Sequence, residues 1–266
     1  MTAPGRVLRQ SADLTWRNLL HLRRTPTALA SSLLEPVLFA ALIGYVFGGS
    51  LGGPAYREYL VAGLMTQAVV FTASFTTIGL ARDLQEGVVD RFRALPIARV
   101  SLLLGRTTSD LTTCLASVAV TTVCGLLLGW RPHTGVLPVL AGYLLVLLYA
   151  FTVSWIGVLV ALITPNVQVA GSLGLLWLFP VTFVSSGFVS TTSLPGPLAF
   201  LARWNPVTAL ANALRALFGN AAPAGFPPQH GWTAEHPVAH ALLCAAVLLP
   251  VFAVLSTWRY RVRTSR

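Results

Sequence analysis

A run of 71 consecutive residues, 132–202, contains no aspartate, glutamate, lysine or arginine. In a typical soluble domain roughly a quarter of the residues are charged. This chain has 10% charged and 55% hydrophobic residues, and its mean hydropathy is +0.72. Such a run cannot form the outside of a water-soluble fold, so the sequence predicts an all-α polytopic membrane protein.

Apolar stretches of membrane-crossing length recur six times along the chain. A transmembrane helix needs about 20 predominantly apolar residues. The six predicted spans cover residues 27–47, 59–81, 107–130, 138–163, 167–189 and 239–258. The other predicted parts are an N-terminal interfacial helix over 1–26, a cytoplasmic segment over 82–106, an external helical hairpin over 194–220 and a cytoplasmic tail over 259–266. The whole chain, 1–266, is therefore expected to be one membrane domain.

The arginines are divided unevenly between the two sides that six spans define. The side with both termini holds fourteen arginines: five before the first span, five in 82–106 and four in the tail. The opposite side holds four. Because short cytoplasmic loops are enriched in basic residues, we expect a multi-pass protein of the cell membrane with both termini in the cytoplasm. Topology therefore accounts for the net charge of +10, and nucleic-acid binding is not expected.

The segment 82–106 is a long charged stretch between two apolar spans. Apolar residues recur in it at helical spacing, and charged residues fall on the opposite face. The apolar stripe is Leu84, Val88, Phe92 and Leu95, and the charged face includes Arg82, Glu86, Asp90 and Arg93. The helix is expected to stop before Pro96, because the residue before a proline disfavours the helical conformation. The pattern predicts a short amphipathic helix that docks on a membrane surface or on a soluble partner.

Two polar residues, Glu35 and Gln67, interrupt the first and second spans. A carboxylate at the bilayer centre costs about 2.5–3.5 kcal/mol on insertion scales. Glu35 therefore either lies near the cytoplasmic interface, with Pro36 at an early helical position, or is a buried functional carboxylate. Gln67 is expected to hydrogen-bond between helices.

Residues 194–220 contain two apolar helical stretches, of about seven and thirteen residues, separated by Asn205-Pro206. Both stretches are too short to cross a bilayer. The segment follows the fifth span on the external side. It therefore reads as a re-entrant hairpin, a pair of short helices that enters the outer leaflet and returns.

No catalytic site is visible in the sequence. All 18 basic residues are arginine, whereas a Walker A nucleotide site needs a lysine. The metalloprotease pattern HExxH does not occur, and the sequence around Ser185 lacks the first glycine of an intramembrane serine protease motif. The three cysteines lie in apolar segments without paired spacing, and the histidines lie in loops or at span ends. Neither a disulfide nor a metal site is therefore predicted.

Three groups of residues carry a family resemblance, in order and at the expected topological places. The first span contains Leu34-Glu35-Pro36 followed by Gly44-Tyr45-Val46-Phe47-Gly48. The cytoplasmic segment contains Arg82, Glu86-Gly87, the stretch from Arg91 to Leu95, Pro96 and Arg99. The hairpin contains Pro195, Pro197, Asn205-Pro206, Arg215 and Gly219. Together they resemble the permease subunits of type-2 ABC exporters, the group that includes daunorubicin-resistance permeases, over essentially the whole chain.

The resemblance implies a dimer of permeases, identical or paired with a homologue, bound to two cytoplasmic P-loop ATPase subunits. ATP and magnesium would bind to the ATPases, and this chain would hold no cofactor. Closure of the ATPases would be transmitted through segment 82–106. On this basis the residues expected to contact the ATPase are Arg82, Asp83, Glu86, Asp90 and Arg91, with Gly87 allowing close approach. The alternative is that these residues only solvate a loop.

Charged groups are scarce in the spans, which indicates an apolar, amphipathic or lipid-like cargo such as a drug or an antibiotic. A polysaccharide or glycolipid exporter of the same class is the close alternative, because it also has six spans. An ion-coupled secondary transporter is a further alternative. It would need inverted repeats or intramembrane ion sites, and Glu35 is the candidate carboxylate for such a site.

Overall fold

The computed structural model describes residues 26–47, 53–87, 99–188, 194–220, 222–223, 226 and 230–264. The regular structure in these residues is all helical. The helices are α1 (Pro26–Ala41, continued by a π-helical segment Leu42–Phe47), α2 (Gly53–Gln85), α3 (Arg99–Leu127), α4 (Val136–Ile163), α5 (Val167–Leu176), α6 (Leu178–Phe183), α7 (Gly196–Trp204), α8 (Pro206–Phe218), α9 (Trp232–Glu235) and α10 (Pro237–Thr264). The all-α prediction is confirmed for these residues, whereas the predicted interfacial helix over 1–26 lies almost entirely outside them.

Four helical segments are long and apolar enough to cross a bilayer. They are Gly53–Gln85, Leu103–Leu127, Val136–Ile163 and Pro237–Val262, and they correspond to the second, third, fourth and sixth predicted spans. Two shorter apolar helices, Leu33–Gly44 and Val167–Phe183, fall within the first and fifth predicted spans. These lengths and compositions support an integral membrane protein with several crossings.

Helix α2 is the most deeply buried of the four long helices and packs against α1, α3, α4, α5 and α8. Small residues allow its close contact with α4, where a Cβ added at Gly157 would overlap the carbonyl oxygen of Ala73. Thr77 strengthens the same contact by donating a hydrogen bond to the carbonyl oxygen of Gly157 at 3.0 Å. Close approach at glycine and hydroxyl hydrogen bonds between helices are typical of membrane bundles.

The largest buried cluster joins α2, α3, α4, α8 and α10. At one end of it the rings of Trp130 and Phe218 meet with centroids 5.4 Å apart. A second cluster, around Leu80, Leu103 and Trp155, joins α2, α3 and α4 at the other end of the bundle. The short helix α8 is thus packed as tightly into the core as the long helices are.

The fifth predicted span, 167–189, is not one continuous helix. Helix α5 ends at Leu176, α6 ends at Phe183, and turns follow as far as Phe188. Pro180 has no N–H to donate to the carbonyl of Leu176, and a proline ring crowds the carbonyl four residues before it. The helix therefore breaks near Trp177, and the apolar run predicted as the fifth span consists of two short helices followed by turns.

The boundaries of segment 82–106 also differ from the prediction. Helix α2 continues through Gln85 and α3 begins at Arg99, so both ends of the segment belong to long helices. Gly87 has a φ of +68°, a left-handed conformation that commonly follows the end of a helix. The predicted amphipathic helix is therefore interrupted at Gly87, and residues 88–98 lie outside the described residues.

Two other chain boundaries complete the comparison. The break predicted between the spans 138–163 and 167–189 is confirmed, and Asn166 caps α5 by accepting a hydrogen bond from the Val169 N–H at 2.8 Å. Helix α10 runs on to Thr264, so most of the predicted tail, 259–266, continues the last helix.

Candidate functional site

A largely buried ionic cluster lies where the last turns of α2 meet the first turns of α3. We call it the Arg106 cluster, and it consists of Phe75, Thr76, Asp83, Arg106 and Asp110. Arg106 Nη1 lies 3.4 Å from Asp83 Oδ2, and Arg106 Nε lies 3.3 Å from Asp110 Oδ1. Thr76 Oγ1 donates to Asp110 Oδ2 at 2.6 Å, and Arg106 Nη2 donates to the Phe75 carbonyl oxygen at 3.5 Å. The cluster ties α2 and α3 together at the two helical ends of segment 82–106.

Two features of the sequence build this cluster. Arg106 and Asp110 are four residues apart on α3 and so share one helix face. Gly79 on α2 leaves room for the guanidinium group, because a Cβ added there would overlap Arg106. The spacing of Arg106 and Asp110 is a signal that the sequence itself contains. The approach of Asp83 from another helix leaves no such local signal.

The predicted ATPase-contacting residues separate into two environments. Arg82 and Glu86 are exposed at the end of α2, and the Glu86 N–H donates to the Arg82 carbonyl oxygen at 2.9 Å. Asp83 is half-buried, and its carboxylate is engaged by Arg106. The remaining predicted residues, Asp90, Arg91 and Pro96, lie outside the described residues. The structure therefore places Arg82 and Glu86 together on the surface, with Gly87 directly after them, and turns Asp83 toward the interior.

Glu35 of α1 meets Gln67 of α2, whose Nε2 donates to Glu35 Oε1 at 3.4 Å. The prediction that Gln67 hydrogen-bonds between helices is confirmed by this contact. Gln67 lies roughly 20 Å or more along the helix axis from either end of α2. The alternative in which Glu35 lies near the interface places Pro36 at an early helical position. Pro36 instead lies inside α1. The contact favours the other alternative, a carboxylate held well inside the bundle.

Asn205 forms the joint between α7 and α8. Its Oδ1 accepts a hydrogen bond from the Val207 N–H at 2.8 Å, which caps α8. Its Nδ2 donates to the carbonyl oxygens of Val181 and Val184, at 2.7 Å each. Pro206 occupies the first turn of α8, where a missing N–H is tolerated. The helix break predicted at Asn205-Pro206 is confirmed, and Asn205 also joins the two helices to the end of α6.

Arg215 is 6% exposed and lies between α8, α2 and the turn after α6. Its Nε donates to the Tyr59 carbonyl oxygen at 3.2 Å, and its Nη2 donates to the Gly187 carbonyl oxygen at 2.9 Å. Nη1 donates to Asn212 Oδ1 at 3.0 Å and to Ser186 Oγ at 3.3 Å. The guanidinium carbon lies 3.4 Å from the centroid of the Tyr59 ring, a cation–π contact. The sequence pattern predicts Arg215 in the hairpin but indicates none of these partners.

The other predicted hairpin residues mark helix boundaries. Pro195 precedes α7, and Gly219 ends α8 with a φ of +73°. The next residue, Asn220, accepts a hydrogen bond from Trp130 Nε1 at 2.8 Å and donates to the Arg131 carbonyl oxygen at 3.0 Å. The end of α8 is therefore anchored to the loop between α3 and α4.

No group of three or more histidine, cysteine, aspartate or glutamate side chains among the described residues is placed to hold a metal ion. The cysteines at positions 114, 124 and 244 are free thiols. The polar residues described above pair charges and hydrogen-bond between helices. Together with the long apolar helices, they define a helical integral membrane protein with an ionic cluster beside a charged connecting segment.

Comparison with known proteins gives the family. Residues 9–218 match the ABC-2 type transporter family, and the chain belongs to this family. The resemblance to type-2 ABC exporter permeases, inferred from the sequence, is confirmed.

Named relatives come from two genera of bacteria. The chain is 30% identical over 262 residues to a daunorubicin resistance ABC transporter permease protein of Streptomyces coeruleorubidus, which covers 97% of this chain and 89% of the relative. It is 31% identical over 121 residues to a doxorubicin resistance ABC transporter permease protein of Mycobacterium tuberculosis, or 45% of this chain and 42% of that protein. It is 26% identical over 204 residues to a probable doxorubicin resistance ABC transporter permease protein of the same species, or 76% of this chain and 74% of that protein.

Proposed function

We propose that this chain is the permease subunit of an ATP-driven exporter that moves a hydrophobic or amphipathic, drug-like or lipid-like molecule out of the cytoplasm or the inner leaflet. The observation that carries the proposal is the alignment with the daunorubicin resistance permease, which spans 97% of this chain and 89% of the relative. An alignment of that extent covers nearly all of this chain. This chain and that permease are therefore similar over most of both their lengths.

The proposed membrane topology has six crossings with both termini in the cytoplasm. Six apolar helical segments, in the order of the six predicted spans, support it. The positive-inside distribution of fourteen arginines against four supports the orientation. Helices α7 and α8 have 9 and 13 residues, too few to cross, which supports a re-entrant hairpin on the external side. The Arg106 cluster then lies at the cytoplasmic end of the bundle.

The energy source in this proposal is a separate cytoplasmic P-loop ATPase, which binds ATP and magnesium. The absence of lysine from the whole sequence supports a separate nucleotide-binding subunit, since a Walker A motif requires one. The exposed pair Arg82 and Glu86 supports a docking surface at the connecting segment. In this arrangement ATPase closure moves segment 82–106, and the Arg106 cluster transmits the motion to α2 and α3 together.

The assembled exporter contains two permeases, either two copies of this chain or this chain with a homologue. Leu34, Leu38 and Leu42 on α1 are each more than half exposed. Exposed leucines of this kind suit contact with lipid or with a second permease.

The test is to purify the tagged chain from its native membranes under conditions that preserve complexes and to assay ATP hydrolysis in the purified fraction. We expect a P-loop ATPase to purify with the chain, and doxorubicin to stimulate its activity. Inside-out vesicles containing the complex should accumulate doxorubicin when ATP is supplied. A complex whose ATPase lacks the Walker A lysine should not. A chain that carries no ATPase, or vesicles that take up no cargo with ATP, would contradict the proposal.

A further inference from the structure

The carboxylate of Glu35 has no basic partner in the part of the chain that the structure describes. Three other carboxylates in that part of the chain each have a basic partner. Asp83 and Asp110 both contact Arg106, and Glu58 lies 3.0 Å from a ring nitrogen of His133. The contact of Glu35 is one long hydrogen bond of 3.4 Å from Gln67. A carboxylate held among apolar helices without a cation is energetically unfavourable and is usually functional.

Gln67 provides a second, independent indication of a missing ligand. It is 3% exposed, and its Oε1 has no hydrogen-bond partner among the described residues. Buried polar atoms are normally hydrogen-bonded, and an unsatisfied one requires an explanation. Its Nε2 is already turned toward Glu35, so the site offers carboxylate and amide oxygens as acceptors. An ammonium group, which has only donors, complements both.

The surroundings of this pair are apolar and aromatic. Phe39 follows Glu35 by one helical turn, Phe71 follows Gln67 by one turn, and their ring centroids are 6.4 Å apart. Both rings are half-buried, so part of each ring is accessible. Leu38, three residues after Glu35, is 57% exposed. An acidic group beside accessible phenyl rings matches a molecule that combines a cationic amine with a flat apolar body.

We propose that Glu35 and Gln67 form a binding site for the ammonium group of a cationic amphipathic cargo. This inference rests on the proposed export function and deepens it, because it assigns the cargo a positive charge and places that charge against α1 and α2. The contrasting role is structural, in which the hydrogen bond between Glu35 and Gln67 only holds α1 against α2.

The experiment measures binding to the full chain in nanodiscs of zwitterionic phosphatidylcholine, with empty nanodiscs as the background. Dansylcadaverine carries a primary amine, and its N-acetylated form is a neutral molecule with the same fluorophore. We expect the wild-type chain to bind the amine about tenfold more tightly than the acetylated form, as for a charge-assisted hydrogen bond in a dry site. Glu35→Gln should abolish this preference without changing the affinity for the acetylated form.

Two further variants control the comparison. Glu235→Gln makes the same chemical change at an exposed carboxylate and should keep the wild-type preference. Glu35→Asp keeps the charge and should keep a preference for the amine. If Glu35→Gln does not give folded protein, Gln67→Leu tests the proposed site instead. This variant should weaken binding of the amine more than binding of the acetylated form.

The inference is overturned when the wild-type chain binds the two probes equally, or when Glu35→Gln weakens both to the same extent. A Gln67→Leu variant with an unchanged preference also overturns it if Glu35→Gln is unfolded. Transport by wild-type vesicles tests the export proposal separately. If the chain prefers the amine but its vesicles show no ATP-driven uptake, the export proposal is rejected and the proposed ammonium site is retained.

Discussion

Asp83 and Arg106 are 23 residues apart in the sequence and belong to different helices, yet Asp83 Oδ2 lies 3.4 Å from Arg106 Nη1. The pair closes the base of the connection between α2 and α3. Asp110 holds the same guanidinium from the next turn of α3, and Thr76 holds Asp110 from α2. These contacts therefore link the end of α2 to the start of α3 from both sides of the guanidinium group.

The two carboxylates of this cluster should differ in their effect on stability. The side chain of Asp110 is 9% exposed, whereas that of Asp83 is 28% exposed. When the Asp110 charge is removed, less water can therefore reach that position to stabilise the positive charge of Arg106. Asp110→Asn should lower the free energy of unfolding by about 3–5 kcal/mol, as for a broken buried ion pair. Asp83→Asn should cost less, because its contact is partly screened by solvent. Thermal unfolding in detergent, followed by tryptophan fluorescence, measures both, and a larger loss for Asp83→Asn would contradict this view of the cluster.

Charge reversal at Glu86 tests the proposed docking role of the exposed residues at the end of α2. Glu86 is exposed and makes a helical backbone hydrogen bond to Arg82, so Glu86→Arg should leave the fold intact. We expect drug-stimulated ATPase activity to fall at least about fivefold, because like charges placed across an interface repel. Adding Asp90→Arg should lower the activity further. Glu235→Arg, an equivalent reversal at an exposed residue of α9, should leave coupling unchanged, and an equal loss in both variants would refute a local docking role.

Sidedness can be measured with single cysteines in a chain whose native cysteines, 114, 124 and 244, are replaced. A cysteine at Glu235 is expected on the external side, and a cysteine at Glu86 on the cytoplasmic side. A membrane-impermeant maleimide should therefore label Glu235→Cys in intact cells and Glu86→Cys only after the membrane is opened. The reverse pattern would invert the proposed topology. In the six-span topology, three crossings separate Glu86 from Glu235, so the two residues lie on opposite sides. Labelling of both cysteines in intact cells would contradict that arrangement.

Much of the helical framework could be predicted because hydropathy and the residues that cap or end helices act locally in the sequence. The predicted fourth span, 138–163, agrees with Val136–Ile163, since its apolar run ends at a strong turn sequence. The boundary at Asn205 was also predictable. Asparagine is a favoured residue for capping the start of a helix, and proline is favoured in the first helical turn. These signals need no knowledge of the neighbouring helices.

Other features depend on information that a local pattern does not hold. The apolar run over 167–189 gave no sign of the break near Trp177, because hydropathy does not register that Pro180 lacks an N–H. The amphipathic stripe in segment 82–106 continued through Gly87, and a periodic pattern does not reveal that this residue has a φ of +68°. The partners of Arg106 and Arg215 come from other helices, so their identities emerge only from the packed bundle.

Close packing between α2 and α4 should be sensitive to one methyl group. A Cβ at Gly157 would overlap backbone of α2 at Ala73, and a backbone cannot move aside as a flexible side chain can. Gly157→Ala should destabilise the protein by about 1–3 kcal/mol, the usual cost of overpacking. Gly171→Ala is the matched control, because its Cβ would make ordinary contacts with Ile78 at 3.9 and 4.0 Å. Equal unfolding temperatures for the two variants would show that the helices are less tightly packed than described.

Arg215 should not be replaceable by lysine, although the charge is the same. The guanidinium uses three nitrogen atoms to reach four oxygen acceptors and also stacks on the Tyr59 ring. A lysine ammonium is a single donor centre and cannot reproduce that planar geometry. Arg215→Lys should therefore destabilise the protein by about 1–3 kcal/mol for each buried acceptor left unpaired. Arg203→Lys, the same change at an exposed residue of α7, should leave the unfolding temperature within error of wild type. If Arg215→Lys also does so, positive charge alone holds α8 to α2, and the directional hydrogen bonds contribute little.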